Sequence, residues 1–169
     1  IGFLDSTSTA ISFKLHTHNQ GEILNNATSM SAATGQIVFG DAAPANYDDE
    51  TFTLISSDGT TVVYTLDDDA STNTYGASTT NIGIQGGPNA AWIANRTHDA
   101  IANSSNAHYG LISVSISTAT LTFTQDVSGT GGNTTISTSE TDEDDLNVTS
   151  FAGGSGPTGT NGILTSGSA

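Results

Sequence analysis

The sequence predicts a mainly β, α+β fold: an antiparallel sheet or Ig-like sandwich with one helix and an extended N-terminal strand. Three observations lead to this fold class. Short segments in which apolar and polar residues alternate recur along the chain, as is typical of strands with one buried face. Turn residues separate these segments. A single stretch, near residues 89–103, instead repeats its apolar residues at helical spacing.

The composition limits both the core and the range of partners. The chain has 169 residues, enough for one domain, and its 34% hydrophobic content with abundant Ser, Thr and Gly predicts a small core under a hydroxyl-rich surface. Lys14 and Arg96 are the only basic residues and the formal net charge is −15, so nucleic acid is not an expected partner, because phosphate binding needs clustered cations. No apolar run is long enough for membrane insertion, and no cysteine supplies a disulfide framework.

Residues 1–20 are predicted to form an extended strand segment. Its apolar residues either cluster at the tip or alternate with polar ones, and they are the candidate assembly residues: Ile1, Phe3, Ile11, Phe13 and Leu15. The segment either pairs as the first strand of its own domain or completes an exposed sheet edge of a neighbouring copy. The start at Ile1 rather than Met fits removal of a signal or pro-segment, or a numbered sequence that simply begins there.

Residues 21–154 are predicted to form the β-rich domain, and residues 155–169 a low-complexity tail. After a loop at 21–35, the predicted strands lie at residues 37–39, 51–56, 61–66, 111–117, 120–125, 134–137 and 146–151. Asp58-Gly59 joins the second and third strands in a tight hairpin, because these residues suit positive φ angles. A polar connection at 67–87 precedes the helix, which Asn89 can cap. A two-residue link, Thr118-Ala119, forms the second hairpin.

Several segments of this domain stand in an order that resembles a known family. They are Glu50-Thr-Phe-Thr-Leu-Ile-Ser-Ser-Asp-Gly-Thr, Ile82-Gly-Ile-Gln-Gly, Leu121-Thr-Phe-Thr-Gln, Gly132-Asn-Thr-Thr-Ile and Leu146-Asn-Val-Thr-Ser-Phe-Ala-Gly-Gly. Together, over about residues 48–154, they resemble a domain of phage virion structural proteins and bacterial surface proteins. The resemblance implies a structural or display role and no catalytic residue. The N-terminal segment and the tail lie outside it.

Five Asn-X-Ser/Thr triplets are candidate glycosylation sites, at Asn26, Asn95, Asn103, Asn133 and Asn147. In a chain so rich in Ser and Thr, chance alone produces about four such triplets, so their number does not argue for glycans. With glycans attached, the chain would resemble a subunit of the glycosylated fibrils found in environmental freshwater.

Metal binding and catalysis are not expected. The acidic runs give weak calcium candidates at Asp67, Asp68, Asp69, Asp142 and Asp144, but none matches a defined calcium loop, and solvated turns explain them as well. His16 and His18 share a strand face without a further ligand, and His98 and His108 are interpreted as surface residues of the helix and a loop. No Gly-x-Ser-x-Gly elbow and no phosphate-loop lysine is present, so the chain is not expected to be an enzyme or to use a cofactor.

The function predicted from these features is a structural subunit of a self-assembling extracellular filament. Its partners would be copies of itself, joined by strand complementation, outside the cell or on a virion surface. One alternative is a phage virion decoration or tail-associated protein. Another is a carbohydrate-binding or adhesion module, which would need an exposed aromatic platform built from Trp92, Tyr47, Tyr64, Tyr75 and Tyr109, although Trp92 is interpreted first as a packing residue.

Overall fold

A computed structural model describes residues 30–69, 80–142 and 144–156, which contain eight strands and one α-helix. The strands are β1 (Thr34–Phe39), β2 (Thr51–Ile55), β3 (Thr61–Asp67), β4 (Asn81–Gly83), β5 (Ile112–Ser117), β6 (Thr120–Gln125), β7 (Ser137–Thr138) and β8 (Leu146–Ala152). The helix, α1, spans Ala90–Ile101, and short 3₁₀ turns lie at Pro44–Tyr47 and Thr130–Gly132. The predicted α+β class, mainly β with one helix, is confirmed. The predicted N-terminal strand and Asn26 lie outside the described residues, as does the tail beyond Gly156.

The strands form two four-stranded sheets, in the orders β5-β6-β1-β8 and β4-β3-β2-β7. Every pairing is antiparallel except that of β3 with β4, which is parallel. Alternate apolar residues of both sheets join one buried core, in which the Phe52 and Tyr64 rings stack with their centroids 4.9 Å apart. Both sheets therefore follow the alternation seen in the sequence, with one face inward and one outward.

The two predicted hairpins form because their turn residues accept the required backbone angles. Gly59 has φ of 90°, and the Asp58 carboxylate accepts hydrogen bonds from the Ser56 hydroxyl at 2.5 Å and the Thr60 amide at 2.9 Å. These bonds hold the pKa of Asp58 below its ordinary value. In the second hairpin Thr118 has φ of 55°, an uncommon angle for a β-branched residue, and only two residues separate Ser117 from Thr120.

Helix α1 covers the core beside the first sheet. Asn89 caps it, its side-chain oxygen accepting a hydrogen bond from the Trp92 amide at 2.9 Å. The buried face of the helix contacts β1, β4, β5 and β6 and consists of Ile93, Ala94, Thr97, Ala100 and Ile101. The helical spacing of the sequence therefore identified both the helix and its buried face.

Local patterns missed the parts of the fold that depend on pairing between distant strands. Thr34 and Gly35 extend β1 because they pair with β6, although the sequence predicts a loop there. Strand β4 was predicted as part of a polar connection; it has three residues and exists through parallel pairing with β3. The strand predicted at 134–137 instead crosses between the sheets: the Thr134 carbonyl accepts from the Phe151 amide at 3.0 Å, and β7 then pairs with β2.

The chain enters and leaves this domain at one place. Ser31 and Ser155 form an isolated antiparallel bridge, with backbone hydrogen bonds of 3.2 and 3.1 Å in the two directions. Their hydroxyl oxygens are also 2.8 Å apart, and the Ser31 hydroxyl donates to the Gly153 carbonyl. The two ends of the described domain therefore lie next to each other.

Candidate assembly edge

Strand β5 forms an open edge of the first sheet. Its six residues pair with β6, and no other strand of the described ranges pairs with it. The two ends of the ladder show which residues of β5 bond to β6. At one end the Leu111 carbonyl accepts from the Asp126 amide at 2.9 Å, and at the other Ser117 and Thr120 flank the two-residue turn. Because hydrogen-bonded pairs alternate along an antiparallel ladder, the odd-numbered residues of β5 bond to β6. The N–H and C=O groups of Val114 and Ile116 therefore point away from the sheet.

The other sheet edges in the described part of the chain are short or covered. Strands β4 and β7 have three and two residues. The C-terminal end of β8 is covered by the crossing segment, since Phe151 bonds to Thr134 and the Ile136 amide donates to the Ser150 hydroxyl at 3.1 Å, which leaves a shorter free stretch at residues 146–149. Strand β5 is therefore the longest unpaired edge among the residues described.

A groove lies beside the start of β5, next to the C-terminal end of α1. Its volume is about 200 Å³, and its walls include Ile101, Ala102, Tyr109, Ile112 and Val114. The Tyr109 side chain is 61% exposed, although large apolar rings are usually covered. Ser113 and Asp126 also line the groove, so apolar side chains and a carboxylate meet in it at the open edge of the sheet.

The outer face of the first sheet is a grid of uncharged side chains. Strand registry aligns them in rows, which read Ser113–Thr124–Thr34–Ala152, Ser115–Thr122–Gln36–Thr149 and Ser117–Thr120–Val38–Asn147. Carboxylates border this grid at two places: Asp126, exposed at the end of β6, accepts a hydrogen bond from the Ser113 hydroxyl at 2.5 Å, and Asp145 lies beyond Asn147, where its carbonyl accepts from the Gly40 amide at 2.8 Å. Asp126 is therefore a single negative charge beside the open edge.

His108 is buried, which corrects the interpretation of this residue as part of the loop surface. Its side chain is fully inaccessible, with Nδ1 3.0 Å from the Tyr64 hydroxyl and Nε2 3.1 Å from the Thr60 carbonyl. The Asn106 side-chain oxygen accepts from the Tyr64 hydroxyl at 2.9 Å and from the His108 amide at 2.8 Å. Because a carbonyl cannot donate, Nε2 carries the hydrogen of the bond to Thr60. Burial lowers the pKa of His108, while the bond to Thr60 and the charge of Asp58 oppose that shift.

The predicted glycosylation positions within the described ranges are spread over the surface. Asn95 lies on the exposed side of α1 and Asn147 on the outer face of β8, whereas Asn103 follows the helix. Asn133 is exposed, but its side chain pairs with Gly154, donating at 2.9 Å and accepting at 2.8 Å. The sites form no cluster that defines a single function.

The weak calcium candidates do not converge. Asp67 accepts from the Asn81 side chain at 2.9 Å, and Asp142 accepts from the Asp144 amide at 3.0 Å, so these carboxylates serve local turns and strand ends. Asp68 and Asp69 follow β3. Within the described ranges, no group of three or more His, Cys, Asp or Glu side chains is placed to hold a metal ion.

The aromatic residues considered for a carbohydrate platform are mostly in the core. Tyr47 and Tyr64 are fully buried, and Trp92 packs partly against the core with the Arg96 guanidinium 5.1 Å from its ring centroid. Tyr109 is exposed, and Tyr75 lies outside the described residues. The four described rings therefore do not form one exposed platform.

Comparisons with protein-family models, curated proteins and solved structures find no match for this chain. The resemblance to phage virion and bacterial surface domains stays a prediction. Among the helices of the described ranges, none has the length and apolar character needed to cross a bilayer.

Proposed function

We propose that the protein is a structural subunit of a self-assembling extracellular filament, whose copies join by strand complementation. The observation that carries this proposal is the open edge of β5, where the backbone groups of Val114 and Ile116 point outward. An added strand would satisfy these groups, and alternate side chains would fix its register.

The composition of β5 supports this proposal. Monomeric proteins protect edge strands with lysine, proline, bulges or covering segments. The sequence of β5 is Ile-Ser-Val-Ser-Ile-Ser, which contains no charge and no proline, and its pairing with β6 is regular over six residues. An edge with this sequence favours pairing with another chain.

The N-terminal segment supplies a suitable donor. Residues 11–15 read Ile-Ser-Phe-Lys-Leu, an alternation that gives one apolar and one polar face in an extended strand. Residues 31–156 form a compact unit that excludes this segment. Removing the segment is therefore expected to leave the domain folded.

Deletion of residues 1–16 tests the proposal. The full chain is expected to form regular fibres in negative-stain images, and the deleted chain to remain a folded monomer by light scattering and circular dichroism. Assembly that is unchanged by the deletion would exclude donation by this segment. A full chain that stays monomeric without other components would instead favour the virion-decoration alternative.

A pair of proline substitutions tests the acceptor edge. Val114→Pro removes an outward N–H and is expected to abolish fibres while the domain stays folded, because edge strands tolerate proline at such positions. Ser115→Pro removes an N–H that bonds to β6 and is expected to destabilise the domain by about 3 kcal/mol. If Val114→Pro forms normal fibres, β5 is not the acceptor.

A further inference from the structure

We infer that residues 11–15 of one copy bind the outer edge of β5 in the next copy, with Phe13 in the groove beside α1 and Lys14 beside Asp126. This inference rests on the proposed assembly by strand complementation. It adds the surface that accepts the segment, the register in which the segment pairs with β5, and a pair of opposite charges that favours this register.

The groove fits one large apolar side chain. Its volume of about 200 Å³ exceeds that of an aromatic ring, and Ile112 and Val114 line it together with Ser113 and Asp126. On a strand added to β5, Ile11, Phe13 and Leu15 would share one side, because side chains alternate across a strand. Phe13 is the central and largest of the three. Docking there would also cover Tyr109, which is 61% exposed.

The charges favour the same register. Lys14 would point to the outer face of the sheet, opposite to its neighbour Phe13. When Lys14 stands opposite Ser113, it lies about 5 Å from that residue across the strand spacing, and the Ser113 hydroxyl contacts Asp126 at 2.5 Å. The lysine side chain is long enough to reach this carboxylate.

Apolar and charged contacts therefore agree on one register. Lys14 opposite Ser113 places Phe13 opposite Ile112 or Val114, and both of these residues line the groove. Lys14 is one of two basic residues in the whole chain, and no carboxylate lies within the grid of the outer sheet face. The contact between Lys14 and Asp126 is therefore a selective one.

The segment is long enough to reach another copy. Residues 16–30 separate it from Ser31, where the domain begins, and a chain of this length spans up to about 50 Å when extended. The same length also permits pairing within one chain. Charge reversal distinguishes these two arrangements.

The test measures the critical concentration for fibre formation by sedimentation, using full-length chains at one salt concentration. Lys14→Asp and Asp126→Lys each place like charges together, and each is expected to raise the critical concentration at least about tenfold. Asp69→Lys makes the same charge change as Asp126→Lys at an exposed residue after β3, in the other sheet, and is expected to change it by less than about twofold. Melting curves check that each variant is folded.

The two substitutions combined in one chain restore opposite charges and are expected to return the critical concentration to within about threefold of the wild type. An equimolar mixture of the two single variants is also expected to assemble, because each donor then meets an oppositely charged acceptor on the other chain. Rescue in the double variant without rescue in the mixture would place the contact within one chain and overturn the inference.

The proposed function and this inference fail in different ways. If the wild type assembles but the double variant is no better than the single variants, the N-terminal segment binds elsewhere and only the inference is overturned. If the wild type does not assemble, the proposed function itself fails, and the inference fails with it.

Discussion

At the scale of the residue, hydrogen bonds fix the buried polar groups. On the helix surface, His98 Nδ1 lies 3.0 Å from the Asp99 carboxylate. The buried Tyr47 hydroxyl instead accepts from the Asp41 amide at 2.8 Å and lies 2.9 Å from the carbonyl oxygens of Asp41 and Asp145. Burial raises the pKa of Tyr47 to about 12, so the hydroxyl keeps its proton near neutral pH.

His108 makes the stability of the domain sensitive to mild acid. Its pKa is lowered from the ordinary value of 6.5, so below that pH the unfolded chain binds a proton that the folded domain resists. The free energy of unfolding is therefore expected to be highest above about pH 6.5 and to fall as the pH drops towards 5. Urea denaturation at several pH values measures this change.

The control for this prediction is a pair of glutamine substitutions. His108→Gln is expected to lower stability at pH 7 and to remove most of the decline between pH 7 and 5, whereas His98→Gln, on the helix surface, is expected to retain it. The pKa values of Asp41 and Asp58 lie below 3.8, outside this range, and Asp145, whose pKa is raised by desolvation and neighbouring acids, is present in all three proteins and therefore leaves their comparison unchanged. If the free energy of unfolding falls equally between pH 7 and 5 in the wild type and in His108→Gln, His108 does not cause the decline.

At the scale of the element, the sequence was informative wherever a pattern is local. Both hairpins and the helix were predicted within one or two residues, because turn residues, strand alternation and helical spacing act over short distances. Strand β4 and the crossing segment before β7 were missed, because distant pairing creates them. His108 was misplaced for the same reason: nothing adjacent in the sequence shows that Tyr64 and Thr60 will cover it.

The sequence offers a donor segment for the candidate site, which stays a prediction, but no acceptor. The alternation of residues 11–15 identified a possible donor, whereas an acceptor was not assigned. The absence of lysine and proline from β5 is visible in the sequence, but its position at the edge follows from the order of the strands. Sheet order depends on long-range pairing, so the acceptor required the structure.

The cap of α1 gives a prediction at this scale. Asn89→Ala removes the acceptor for the Trp92 amide and is expected to destabilise the domain by about 1 kcal/mol. Asn95→Ala, at an exposed helical position, is expected to be neutral or slightly stabilising, because alanine has the higher helix propensity. Thermal unfolding of the two variants measures the difference. If Asn89→Ala and Asn95→Ala lose the same amount of stability, the side chain of Asn89 makes no specific contribution as a cap.

At the scale of the whole molecule, the acidic residues are concentrated in turns and loops, while the outer face of the first sheet is uncharged. The formal net charge is −15, yet the twelve aligned outer positions of the first sheet carry no charge. Within the described residues, most acidic side chains lie in turns and loops. Copies of the protein therefore repel one another at a distance, while the sheet surface that would lie beside a neighbour is neutral.

Salt is accordingly expected to promote assembly. Raising the ionic strength from about 0.01 to 0.15 M shortens the screening length from about 30 to 8 Å, which weakens repulsion between whole copies. The critical concentration for fibres is expected to fall several-fold, as measured by sedimentation. A rise with salt would show that attraction between unlike charges at the contact outweighs the overall repulsion.

The bridge between Ser31 and Ser155 has a mechanical consequence for such a filament. If a neighbour's N-terminal segment is held by β5 and the protein's own segment leaves at Ser31, tension enters the domain at β5 and leaves before β1. Its path crosses β6, through six residue pairs with β5 and five with β1. Because Ser31 is also bonded to Ser155, part of the load passes into the end of β8, whereas the second sheet and α1 lie outside this path.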